Sequence, residues 1–278
     1  MLRARALGAA RPAARGLCAK LGVEGAKSTT PRFTGKLACL DLEGVLIPEV
    51  PVHRERRQWQ LRAHALTRAQ VWVNLAERVG VEALKRTTRD EPDYDVLMRY
   101  RLDIMRKEGL TMHDINAAID AMDPLDGAPE MVAWLRERFQ AAAPNCQGPS
   151  AVAHLPSAEQ VIILSDTFYE FGLPFMKKLG HPTLFCHRLS VDSAGNITDY
   201  HMRQPDPKRR SISAFRLLNY TTIATGDSYN DTTMLGAADA GILFEPSQNV
   251  IDEFPQFPVA FGYDQLREEF LKADERTG

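Results

Sequence analysis

LACLDLEGVLIPEV, residues 37–50, decides the fold. Leu37 to Leu40 is apolar without alternation, as expected of a strand covered on both faces, and it breaks off at Asp41, with Glu43 and Gly44 directly behind. Two other runs repeat this form, QVIILSDT (160–167) and TTIATGDSYND (221–231). Between them lie helical patterns. PEMVAWLRERF (129–139) carries Met131, Val132, Leu135 and Phe139 on one face, and DPKRRSISAFRLLN (206–219) opens with Asp and Pro and repeats Ile212, Phe215 and Leu218 at helical spacing. Strands alternating with helices predict an α/β fold: a doubly wound parallel sheet, Rossmann-like.

If the three runs are parallel neighbours, their ends bring Asp41, Glu43, Ser165 and Asp227 to one edge of the sheet, with Asp231 close behind Asp227. On continued strand geometry Asp41 and Glu43 share a face. Carboxylates crowded in this way repel one another unless a cation binds, and an all-oxygen donor set with open positions suits Mg²⁺.

From Glu49 to about Pro124 the pattern changes. WVNLAERVGVEALKRTT (72–88), YDVLMRYRLDIMRKEG (94–109) and TMHDINAAIDAM (111–122) are successive amphipathic helices with no convincing strand between them. The domain plan is therefore a core over 36–48 and 125–274 and a small helical cap over 49–124, inserted after the first strand and expected above the ligand-binding edge of the sheet. Two stretches look like additions: a basic one within the cap (51–71), and a proline-containing one without periodicity (141–159), expected to be a surface loop or disordered.

The 278 residues carry a formal charge of −2, which argues against a nucleic-acid-binding protein. Four cysteines without paired spacing argue for reduced thiols in an intracellular compartment. Residues 1–36 hold eight Lys or Arg against the single acid Glu24, with no long apolar core. That composition predicts an organellar transit peptide over 1–35, mitochondrial or plastid, the alternatives being a disordered basic tail and a cytoplasmic protein. No run approaches the length needed to span a membrane.

Singly the motifs are weak. A lone DxE is an ordinary turn, Ser165-Asp166-Thr167 could cap a helix, and Lys208 could be a surface charge. Together, DLEGV, ILSDT, DPKRR and GDSYND in this order resemble the four motifs of the haloacid-dehalogenase-like phosphohydrolases, phosphoserine phosphatase branch. The branch that combines phosphoserine phosphatase with homoserine phosphotransferase is nearest, sharing the DLEG form, TTRDEPDYDVLM (87–98), LSDTFYEF (164–171), GDSYNDTTML (226–235) and EFPQFP (253–258). The similarity runs from about Lys36 to Ala273, interrupted by the two additions.

The resemblance implies that Asp41 is the nucleophile and Glu43 the acid and base. It assigns Mg²⁺ to Asp41, the backbone carbonyl of Glu43 and Asp227, with Asp231 nearby. Ser165 and the amide of Asp166 would bind phosphoryl oxygens, Lys208 would offset charge, and Asn230 would orient the substrate. Glu49 would meet the ammonium of phosphoserine and Arg101 its carboxylate, since an arginine fork matches a carboxylate. Homoserine is the expected acceptor for transfer. Another small phosphate ester, or a non-catalytic relative disabled by the additions, are the alternatives. A phosphorylated receiver domain fits less well, because its acidic pair precedes its phosphorylated aspartate and it has no cap. Both additions interrupt an otherwise continuous match, which suggests unspliced intron sequence; a transcript encoding both would overturn that.

Overall fold

The computed structural model describes residues 35–48, 71–86, 90–91, 94–140 and 160–277. Residues 1–34, Glu49, 51–70 and 141–159 lie outside these, so the expected leader and nearly all of both additions do too. The strands are β1 (Gly35–Leu40), β2 (Val161–Phe168), β3 (Thr183–Val191), β4 (Ile197–His201), β5 (Tyr220–Gly226), β6 (Ala240–Phe244) and β7 (Val259–Ala260). The helices are α1 (Val71–Val79), α2 (Tyr94–Glu108), α3 (Met112–Asp120), α4 (Ala128–Gln140), α5 (Tyr169–Lys178), α6 (Pro207–Leu217), α7 (Thr232–Ala237), α8 (Gln248–Glu253) and α9 (Gly262–Arg276).

The three apolar runs are central neighbours. The sheet order is β4-β3-β2-β1-β5-β6-β7, and Cys39 of β1 lies opposite Ile162 of β2 and Ala224 of β5, parallel on both sides. Chain order reverses at β1, where open α/β sheets take their ligands. Residues of β1 alternate between two separate cores: Ala38 and Leu40 join Met131 of α4, Phe171 of α5 and Phe270 of α9, while Leu37 and Cys39 join Ile212 of α6, Met234 of α7 and Val250 of α8. Burial on both faces explains the absence of polar alternation, and each fully buried Leu adds roughly 1.5–3 kcal/mol. The antiparallel strand β4, which pairs with β3 through Leu189 and Tyr200, was not expected from the sequence.

The predicted α4 face is buried at all four positions. In α6 Asp206 and Pro207 hold the helix-start positions as expected, and only the far end needs correction. Leu218 lies past the helix and is exposed, because Asn219 adopts φ 64° and turns the chain into β5. Asp206 has φ 50° and makes no side-chain cap; its carboxylate pairs with Arg209 and accepts a hydrogen bond from Thr233.

Among the described residues of the expected cap, 49–124, all regular structure is helical, namely α1, a 3-10 turn over Glu82–Lys85, α2 and α3, and it shares one hydrophobic core with one face of the sheet. Val71, expected to belong to the basic addition, is a buried residue of α1. Thr111 and Asp114 start α3 with a reciprocal cap, in which Thr111 Oγ accepts from His113 N at 3.2 Å and Asp114 accepts from Thr111 N at 2.8 Å. Leu125 N donates to Leu46 O at 2.9 Å, closing a neck where this helical segment returns to the chain of the sheet. Away from the neck, Trp72 meets Phe171 edge to face at 5.4 Å, Met112 N donates to Gly195 O at 2.8 Å, and the Tyr200 hydroxyl donates to Asp95. At the N-terminal edge of the sheet, Asp274 of α9 takes Lys36 of β1 and Arg138 of α4. No described helix is long and apolar enough to cross a membrane.

Candidate active site

The β1 ladder stops at Leu40, although Asp41 N still donates to Thr225 O at 2.9 Å. Leu42 O then accepts from both Leu46 N and Ile47 N at 2.9 Å, winding DLEGVLI into a tight turn. Asp41 and Glu43 are therefore set by turn geometry and not by the strand pleat, contrary to the sequence expectation. Gly44 has φ 79°, and a Cβ there would sit 2.4 Å from the Asp227 carboxyl carbon. Only glycine allows this turn to abut Asp227. Glu43, half-buried beside it, is held by a bridge to Ile47.

The end of β2 is bulged, with a register shift between Leu164 and Phe168. Ser165 Oγ accepts from Thr167 N at 3.1 Å within the bulge, and α5 begins only at Tyr169. Ser165 is thus not a helix cap. The bulge turns Ser165 and Asp166 toward the cleft edge, as bulges beside active sites do.

After β5 the chain is organised by Asp231. Its Oδ2 accepts from Asp227 N at 3.1 Å and from Ser228 N and Ser228 Oγ, each at 3.2 Å, and its Oδ1 accepts from Lys208 Nζ at 2.8 Å. A Cβ on Gly226 would lie 2.3 Å from Asp231 Cβ, so the strand end must be bare there. Asn230 is exposed on the short turn Tyr229–Asp231.

Lys208, buried at the start of α6, joins the strand ends: besides Asp231 it reaches Asp41 Oδ1 at 3.0 Å and Asp166 Oδ2 at 3.5 Å. Burial alone would lower its pKa, but Asp231, Asp41 and Asp166 raise it well above the usual lysine value. Burial and then Asp231 push the Asp41 carboxyl upward, with Lys208 opposing. One lysine does not neutralise Asp41, Asp166, Asp227 and Asp231. Asp41, Asp227 and Asp231 each offer an oxygen within 4.8 Å of the others, so the site fits a hard cation. Within that set Asp231 already accepts from chain donors at both oxygens, which makes it the anchor of the loop that presents Asp227.

No family model matches the chain. A phosphoserine phosphatase of Pseudomonas syringae pv. tomato is 50% identical over 241 residues, covering 87% of this chain and 84% of that protein. The phosphoserine phosphatase ThrH of Pseudomonas aeruginosa is 49% identical over 242 residues, covering 87% and 98% respectively. The chain belongs to the phosphoserine phosphatase family. Its fold matches that of solved members: a phosphoserine phosphatase in apo form aligns with a TM-score of 0.57 at 17% identity, over 82% of this chain and 93% of that one. A phospho-aspartyl intermediate analogue of phosphoserine phosphatase gives 0.57 at 18% identity, over 82% and 94%. The resemblance drawn from DLEGV, ILSDT, DPKRR and GDSYND is borne out.

For a member of this family, Arg101 has a telling environment. It is a buried residue of the cap helix α2, not a solvent-facing one. Its guanidinium lies 4.7 Å from the centroid of Trp72, the residue that touches Phe171 of the core, and Nη2 donates to Arg86 O at 2.8 Å. Glu49, its expected counterpart for the ammonium, lies outside the described residues.

His187 of β3 is the residue that sequence reasoning missed. It is buried, its Nδ1 accepts from Arg203 N at 3.1 Å, and its Nε2 is 3.8 Å from Asp166 Oδ1. Burial lowers its pKa, against the pull of Asp166, and because Nδ1 accepts from Arg203 N the proton of a neutral ring sits on Nε2, facing Asp166. A single histidine in the strand TLFCHRLSV gave no sequence signal beyond that of a core residue.

Proposed function

We propose that the protein is a Mg²⁺-dependent phosphomonoesterase that hydrolyses O-phospho-L-serine to L-serine through an aspartyl-phosphate on Asp41, and that it can pass the same phosphoryl group to an alcohol such as homoserine. The observation that carries this is the buried Asp41 carboxylate, held 3.0 Å from Lys208 and clustered with Asp227 and Asp231. A carboxylate attacks a phosphate ester only where the repulsion between two anions is offset.

An Asp41 oxygen forms the new bond to phosphorus as the bond to the serine oxygen breaks, and Glu43 gives that oxygen its proton. Glu43 then takes a proton from water, whose oxygen displaces Asp41 and releases phosphate; with homoserine the acceptor hydroxyl takes the place of water. Lys208, Ser165 Oγ and the amide of Asp166 hold the phosphoryl oxygens, and Asn230 orients the substrate. Mg²⁺, held by Asp41, Asp227 and the carbonyl of Glu43, supplies charge neutralisation at the phosphoryl group when bound. Arg101 receives the substrate carboxylate and Glu49 the ammonium.

The test is phosphate release from phosphoserine with Mg²⁺, against a panel of small phosphate esters and with Asp41→Asn in parallel. Equal turnover by the mutant would remove the nucleophile, and a better ester in the panel would replace the substrate. Homoserine added to the assay should yield phosphohomoserine. On composition alone, residues 1–35 are proposed as an organellar address; a fluorescent fusion of that segment that stays in the cytosol would exclude it.

A further inference from the structure

The lysine ammonium has three N–H donors, and three carboxylates surround that of Lys208: Asp231 at 2.8 Å, Asp41 at 3.0 Å and Asp166 at 3.5 Å. Two of these have evident tasks, since Asp231 builds the loop after β5 and Asp41 is the proposed nucleophile. Asp166 is different. Its side chain is 35% exposed, and it sits on the bulge that carries Ser165. A second carboxylate beside an anionic substrate is a cost to binding, so its presence needs a compensating role. Behind it stands a built support: Arg203 N fixes the ring of His187, and the Nε2 edge of that ring faces Asp166 Oδ1. At 3.8 Å this is a polar contact and not a hydrogen bond.

We propose that the Asp166 carboxylate, backed by His187, is a positioning group for Lys208: it acts as the third leg of a tripod that keeps the ammonium from collapsing onto Asp231 and holds it beside Asp41. The inference rests on the proposed phosphoryl chemistry of this site, but not on which ester is the substrate. It assigns the Asp166 side chain a task separate from the backbone amide expected to bind phosphate. It also predicts a combination that general loosening of the fold cannot produce. Replacing Asp166 by Asn keeps the shape and removes one negative charge, so inorganic phosphate should bind more tightly while turnover falls.

The experiment uses the full chain and Asp166→Asn, with phosphoserine and p-nitrophenyl phosphate as substrates and titration of inorganic phosphate by calorimetry as a readout without turnover. Expected is a kcat loss of about tenfold or more on p-nitrophenyl phosphate, with phosphate affinity raised about threefold. His187→Leu should also lose kcat, and His187→Gln, which keeps an N–H donor near the Nε2 position, should recover most of it. Unchanged kcat in Asp166→Asn overturns the proposal, as does a parallel loss of kcat and phosphate affinity. If the wild-type chain cleaves p-nitrophenyl phosphate but not phosphoserine, the substrate assignment fails while the tripod is still tested. Should His187→Leu not fold, the two readouts on Asp166→Asn decide alone.

Discussion

The two ends of strand β1 carry opposite charge arrangements. At its start Lys36 and Arg138 converge on the single carboxylate of Asp274, so the acid is outnumbered and fully engaged by the chain itself. At its finish the ratio is inverted, with Asp41, Asp166 and Asp231 sharing Lys208 while Asp227 stands beside the Gly44 turn. The first cluster joins three elements and asks for nothing from solution. In the second, three carboxylates share one lysine with Asp227 close by, an arrangement that suits the proposed cation and, with it, an anionic substrate at this edge of the sheet.

Mutations should separate the two ends. The largest effect is expected for Asp41→Asn, which should lower kcat by at least about a thousandfold while the protein stays folded; turnover in a phosphate-release assay within tenfold of wild type would contradict the assignment. Next comes the proposed cation. Mg²⁺ at about 100 times its Kd should stabilise the wild-type chain by about 2.7 kcal/mol in thermal unfolding, and Asp227→Asn should lose most of that shift. An equal shift in both would locate the ion elsewhere. Arg101→Lys keeps the charge but loses the fork, and should raise KM for phosphoserine about tenfold with less change in kcat; p-nitrophenyl phosphate, which lacks the carboxylate, should not register the substitution. The smallest effect on catalysis is expected at the other end of β1. Asp274→Ala should cost about 2 kcal/mol of stability by leaving Lys36 and Arg138 without their shared acceptor, yet leave kcat unchanged. A kcat loss there would break the proposed division between the two ends.

The core strands were legible because β1, β2 and β5 are buried on both faces, and continuous burial is written directly into apolar runs such as LACL and VIIL. Among the candidate site residues, Asp41, Ser165 and Asp227 were legible because they end those runs. What failed was local geometry. Asp41 and Glu43 were expected on one face of a strand, but hydrogen bonding to Leu42 O closes a turn one residue after Asp41, and a period-two argument does not survive that change. Strand β4 was overlooked because only Ile197 and Tyr200 of its five residues are buried, too little for a periodic signal. His187 was invisible for another reason. Its meaning depends on Asp166, in a different strand, and on the backbone of Arg203, and neither contact leaves any spacing to recognise.

The parallel course of the central strands has one more consequence. Chain entering a strand does so at the edge opposite the chemistry, so α4, which precedes the second addition, ends near the Asp274 cluster, whereas Pro48, which precedes the first, follows directly on the DLEG turn. Sequence drift is therefore unequal in its reach. Length changes before β2 should leave turnover unchanged, while length changes after Pro48 should alter it. The sheet sorts its insertions into neutral and consequential ones by direction alone.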